Sequence, residues 1–191
     1  MAESVDALVS NTSEAIRAGS SPALGTPTAA ASCGRSFLQT MSISHGTLVH
    51  AEPAKQARYD EAYMRMAAEW SQLSHCTRKK VGALIVKEGM IISDGYNGTP
   101  SGFANDCEDA NGLTHWYVLH AEANAIMKVA RSTNNALGGT LYLTHSPCKE
   151  CSKLILQAGI KRLVYLDAYK DASGLELLAS GGVSIHRLER I

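Results

Sequence analysis

The order of the short β-rich runs is the tightest constraint on what this chain can fold into. "VGALIV" (81–86) and "MIISDGYN" (90–97), separated around "KEGM", read as an antiparallel hairpin. Helix and strand signals then alternate: a helix from about His120 to Arg131, a strand at "TLYLT", a helix from about Cys148 to Ala158, a strand at "RLVYL", a helix near "SGLELLAS" and a last strand at "VSIHRL". Ahead of the hairpin, "AKQARYDEAYMRMAAEWSQLS" places Tyr59, Tyr63, Met66, Ala67 and Trp70 at helical spacing, which predicts an amphipathic helix. "GYNGTPSG" has the Gly, Asn and Pro content of a loop. Alternation after a hairpin implies a three-layer α/β/α domain: a mixed five-stranded sheet with helices on both faces. Ligands in such sheets bind at strand C-terminal ends, where helices begin, and both His120 and Cys148 fall at helix starts.

Residues 1–52 differ from the rest, being small, polar and without a sustained apolar period, and are expected to form a disordered extension to a domain spanning 53–191. Gly19-Ser20-Ser21-Pro22 can be encoded by GGT TCG AGT CCC, which resembles the conserved arm of a transfer RNA gene. That motivates the expectation that the chain proper starts at Met41, which the intact mass of the native protein would test. Lys plus Arg equals Asp plus Glu at 18 each, so no overall positive field recruits nucleic acid or an anionic membrane. No apolar run approaches the ~20 residues of a membrane span, and the N-terminus lacks the basic and apolar regions of a signal peptide. The expected location is cytoplasmic. Five cysteines, with Cys148 and Cys151 three apart, suit metal or redox chemistry better than a disulfide framework.

"HSPCKEC" sets Cys148 and Cys151 one turn apart at a helix start, where unpaired N–H groups favour thiolates. With the imidazole of His120 they make three zinc ligands and leave a fourth position open, the mark of a catalytic rather than a structural zinc. Glu122 then has a task, since zinc acidifies water and a carboxylate that is not a ligand can move its proton. The order His-x-Glu followed by Pro-Cys-x-x-Cys is the general signature of zinc nucleobase deaminases. Two other readings stay open at this point. Cys148 and Cys151 could be a redox pair, which leaves His120 and Glu122 unexplained, or the zinc could be structural, with Cys76, Cys107, His115 or His145 as a fourth ligand.

"KKVGALIV", "GYNGTPSGF", "HAEANAI", "YLTHSPCKECSKLI" and "AGIKRLVY", spread over about residues 55 to 191, resemble the zinc-dependent cytidine deaminase superfamily. "GYNGTPSG" is similar to its deoxycytidylate (dCMP) deaminase branch in particular. The resemblance implies that His120, Cys148 and Cys151 hold a catalytic Zn2+ and that Glu122 shuttles protons, giving dUMP and ammonia from dCMP and so supplying thymidylate synthesis. It further implies that Asn97 hydrogen-bonds the deoxyribose, the Ala121 backbone meets the 4-amino edge, and Tyr169 stacks on or borders the pyrimidine. Lys80, Arg78 and the backbone around Thr99 to Gly102 are the implied phosphate donors. The plainer alternatives are a turn asparagine at positive φ, a surface aromatic and a solvated charge run.

Many such enzymes are hexamers switched on by dCTP and off by dTTP with Mg2+, so a homo-oligomer with nucleotide effectors is implied. Arg131 matches a regulatory arginine of some members, whereas Lys128 stands where some carry an aromatic residue. Cys76 and Cys107 would either join a second, structural zinc or be two inert buried thiols. Neither a membrane nor nucleic acid is an expected partner. The competing functions are another zinc deaminase, acting on tRNA adenosine or a free nucleoside, and a non-catalytic zinc module with saturated coordination.

Overall fold

A computed structural model describes residues 53–189; the expectations about the 1–52 extension and the Met41 start lie outside the described residues. Nine elements follow one another: α1 (Pro53–Ser71), β1 (Gly82–Lys87), β2 (Met90–Tyr96), α2 (Ala121–Ala130), β3 (Thr140–His145), α3 (Lys149–Gln157), β4 (Arg162–Asp167), α4 (Ser173–Ser180) and β5 (Ser184–Arg187). They form a five-stranded sheet in the order β2-β1-β3-β4-β5. β1 is antiparallel to β2 and β3, whereas β3, β4 and β5 run parallel, so the sheet is mixed as expected.

Strand alternation sorts the core into two layers. Ala83, Ile85, Leu141, Leu143 and Leu163 pack with Ala121, Ala125, Ile155 and Leu178 of α2, α3 and α4. The intervening Leu84, Val86, Tyr142 and Val164 pack with Met64 and Ala67 of α1. A period of two therefore gives one helix on one face and three on the other.

The buried stripe of α1 is not the one its apolar spacing suggests. Asp60, Met64, Ala67 and Ser71 are buried, while Tyr59 and Met66 are 47% and 40% exposed. Asp60 can face inward because its carboxylate is fully engaged. It accepts from Arg162 Nη1 and Nη2 at 2.8 and 2.6 Å, from the Tyr142 hydroxyl at 2.8 Å and from Gln56 Nε2 at 2.9 Å. Burial pushes the Asp60 pKa up, but the hydrogen bonds from Arg162, Gln56 and Tyr142 outweigh it and hold the carboxyl below its ordinary range. Trp70 turns its Nε1 to Asp94 Oδ1 at 2.6 Å, pinning the end of α1 to β2.

Strand direction gives the sheet a working end. The start of β1 and the ends of β2, β3 and β4 meet there, as the register Ala83↔Gly95, Ala83↔Leu143 and His145↔Asp167 requires. α2 lies close over β2 because Gly95 has no side chain: a Cβ there would clash with the Ala121 carbonyl and stand 2.8 Å from Ala125 N. Ser93 Oγ donates to Ala125 O at 2.7 Å and Asn124 Nδ2 to Tyr96 O at 2.8 Å, which fixes the first turns of α2. Between β2 and α2 the chain makes a long excursion, closed by an antiparallel bridge between Gly98 and Leu119. Cys76 and Cys107 are joined in a disulfide, so they are neither a pair of free thiols nor ligands of a second zinc, and the bond ties this excursion to the segment before β1. No helix among the described residues is long and apolar enough to cross a membrane.

Candidate metal centre

His120 caps α2 and Cys148 caps α3, both in extended backbone and neither using its side chain to cap the helix. That leaves the imidazole and the thiol free to point into the crevice between the two helix starts. Cys151 follows one turn into α3 and is buried. His120 Nδ1 lies 3.6 Å from Cys148 Sγ and 3.4 Å from Cys151 Sγ, and the three donor atoms all lie within 4.8 Å of one another. A tetrahedral zinc with bonds of about 2.3 Å to sulfur and about 2.0–2.1 Å to nitrogen separates N and S ligands by about 3.6 Å. The residues therefore fit the ion. Among the described residues, only His120, Cys148 and Cys151 gather in this way.

The electrostatics favour an anionic sulfur at Cys148. Hydrogen bonds from Cys151 and His120 hold the Cys148 thiol down to about 3, and Cys151 is pushed up because it shares its proton with Cys148. His120 is raised, chiefly by its hydrogen bond to Cys148. Zinc held by His120, Cys148 and Cys151 would take the place of these shared protons. Glu122, in the first turn of α2, is 4% exposed, and burial raises its carboxyl above the ordinary range. A carboxyl so placed holds a proton more readily than an exposed one, which suits a group that has to carry one.

His120, Glu122 and Cys148 line a cleft of about 410 Å3, with Cys151 buried behind them. Asn97, Ala121, Tyr169 and Arg78 line it as the sequence suggests. The Asn97 side chain accepts from Val81 N and donates to Lys79 O, each at 2.8 Å, and its φ is not positive. Lys80 is not among the lining residues and directs Nζ toward Gln72 O at 3.5 Å. Thr99 lies instead in a second cleft of about 560 Å3, which also holds Lys128, Arg131 and the Gly98–Gly102 turn. There Lys128 pairs with Asp94 at 2.6 Å.

Lys79, Glu108 and His145 also line the first cleft, and sequence reasoning missed their roles in it. Glu108 accepts from Thr77 N at 3.1 Å, Thr77 Oγ1 at 3.1 Å and Arg78 N at 3.2 Å. His145, a candidate fourth ligand by sequence, is engaged with Lys79 instead.

Known proteins resemble the chain at this site and throughout the fold. It is 35% identical over 163 residues to the deoxycytidylate deaminase of Enterobacteria phage T4, covering 63% of this chain and 84% of that one. The human deoxycytidylate deaminase is 37% identical over 123 residues, covering 60% and 68%. A crystal structure of dCMP deaminase from the cyanophage S-TIM5, in complex with dCMP and dUMP, superposes with a TM-score of 0.69 at 46% identity, over 73% of this chain and all of that one. Residues 57–167 match the family described as the cytidine and deoxycytidylate deaminase zinc-binding region, and the chain belongs to that family.

Proposed function

We propose that this chain hydrolyses dCMP to dUMP and ammonia. The observation that carries the reading is the three-donor group with Glu122 buried beside it, where His120, Cys148 and Glu122 line a nucleotide-sized cleft. Its likeness to a protein crystallised with dCMP and dUMP supports the choice of nucleotide. His120, Cys148 and Cys151 would hold zinc, which when bound supplies the Lewis acidity that makes water a nucleophile at neutral pH. Glu122 accepts a proton as water adds to C4 of the cytosine and delivers it to N3. A second proton then passes through the same carboxylate to the 4-amino group, the C4–N bond breaks, and C4 keeps the oxygen as a carbonyl. The backbone of Ala121 meets the 4-amino edge, Tyr169 borders the ring, and Asn97 faces the deoxyribose with the donor and lone pair its turn contacts leave over.

Arg78 stands at the phosphate end of this reading. Thr99 shares a cleft with Lys128 and Arg131, which fits effector nucleotides there, dCTP and dTTP with Mg2+, in a homo-oligomer of hexamer type working in the cytoplasm.

Ammonia release from the zinc-loaded protein tests the reading, with dCMP, CMP, dCTP, deoxycytidine and an adenosine-bearing tRNA compared side by side, with and without dCTP and dTTP. Turnover confined to dCMP is expected. Turnover confined to the tRNA, or none with zinc fully bound, overturns it.

A further inference from the structure

The cleft contains a cation that the deamination chemistry leaves without a task. Lys79 sits just ahead of β1, on main chain pinned from both sides by Asn97: Asn97 Nδ2 donates to Lys79 O and Val81 N donates to Asn97 Oδ1, each at 2.8 Å. Its ammonium lies 3.0 Å from Nε2 and 3.2 Å from Nδ1 of His145. His145 in turn stands edge-on to Tyr169, with ring centroids 5.9 Å apart at 89°. The two nearly equal distances place the ammonium over the imidazole ring rather than on one nitrogen's lone pair, and burial, then the Lys79 charge, lower the His145 pKa, which opposes a second positive charge there. A ring face takes up none of the ammonium donors outright, so they remain for a ligand.

Arg78 is less free. Its Nη1 donates to Thr114 Oγ1 at 3.0 Å, and its own backbone N–H holds the Glu108 carboxylate at 3.2 Å. An anion arriving beside Arg78 meets Glu108, whereas one arriving beside Lys79 meets an imidazole. The substrate's geometry points the same way. In cytosine C4 and N1 lie across the ring, so a base with C4 at the metal floor sends its sugar and phosphate toward the cleft mouth.

We propose that Lys79, held in place by His145, takes the 5′-phosphate of the nucleoside monophosphate in this cleft. This assignment rests on the nucleotide reading given above. Lys79 contacts the ligand; His145 is a positioning residue that acts through it.

Calorimetric binding of dUMP and of deoxyuridine to the zinc-loaded protein tests the assignment, with equal zinc content as the check on folding. Lys79→Ala is expected to weaken dUMP tenfold or more and to change deoxyuridine less than twofold. Lys87→Ala, which removes the same charge at the opposite end of the sheet, should change neither. His145→Leu should raise KM for dCMP threefold or more at unchanged kcat, and His145→Phe, which keeps a ring face for the ammonium, should restore it. Unaltered dUMP binding by Lys79→Ala overturns the assignment, as does an equal loss of dUMP and deoxyuridine. If the unaltered protein deaminates dCMP while Lys79→Ala binds dUMP normally, only the anchor falls. If the unaltered protein neither binds dUMP nor deaminates dCMP, the nucleotide reading falls with it.

Discussion

Glu122 is buried without belonging to the metal's donor set, and that combination gives a sharp test. Glu122→Gln keeps the shape and removes the proton carrier, so kcat should drop by about 10²–10⁴ or more while zinc, measured by atomic absorption, stays stoichiometric. Loss of zinc in that variant would instead make Glu122 structural. The residues that gather at the two helix starts, His120, Cys148 and Cys151, were the legible ones, because ligand chemistry dictates residue type and helix geometry dictates spacing. Lys79 was not: in the run Arg78-Lys79-Lys80 three similar side chains stand in irregular backbone, and nothing local tells that Arg78 and Lys79 line the cleft while Lys80 does not. The Cys76–Cys107 bond was equally hidden, since 31 residues separate its ends and nothing local brings them together.

At the scale of elements, α1 is held by a polar clamp as well as by apolar packing. Its partners are Arg162 on β4 and Tyr142 on β3, and the Asp60 and Arg162 side chains are only 7% and 20% exposed. Asp60→Ala strands a half-buried guanidinium and should cost about 3 kcal/mol in denaturant unfolding, the lower end for a broken buried pair. Because the folded pKa of Asp60 is depressed, its contribution is complete above the unfolded carboxylate value of about 3.9 and is lost as pH falls through the lower folded value. An Asp60→Asn variant should therefore lose less stability than the parent across that acid window. The clamp escaped sequence reading because an aspartate inside an apolar stripe looks like an interruption until its partners from β3 and β4 are known. The order of the elements themselves was legible from periodicity alone.

A second element-scale contact bears on the metal. α4 begins against the Pro147-Cys148 turn, and a Cβ on Gly174 would stand 2.6 Å from Pro147 O and 3.1 Å from Cys148 C. Gly174→Ala should push the ligand turn outward and speed zinc loss to a chelator several-fold. An unchanged off-rate would show that α4 gives way instead.

For the molecule as a whole, the disulfide closes a loop that contains the β1–β2 hairpin and leads into the excursion between the two clefts. Chain-entropy reasoning for a loop of this length gives about 3–4 kcal/mol of stabilisation. Reductant should lower the melting temperature, whereas a Cys76→Ser/Cys107→Ser double variant should melt at the reduced value in either condition. Equal melting of the parent with and without reductant would mean that the bond adds no stability.

The sheet also has a quiet end. The Glu88-Gly89 turn takes the left-handed backbone conformation, at φ 52° and 77°, and a side chain built on Gly89 would touch nothing. That turn joins β1 to β2 on the side away from the cleft. It is therefore a natural place for a fluorophore, an affinity handle or a surface tether: a label there would report on the working enzyme without standing in the path of what enters it.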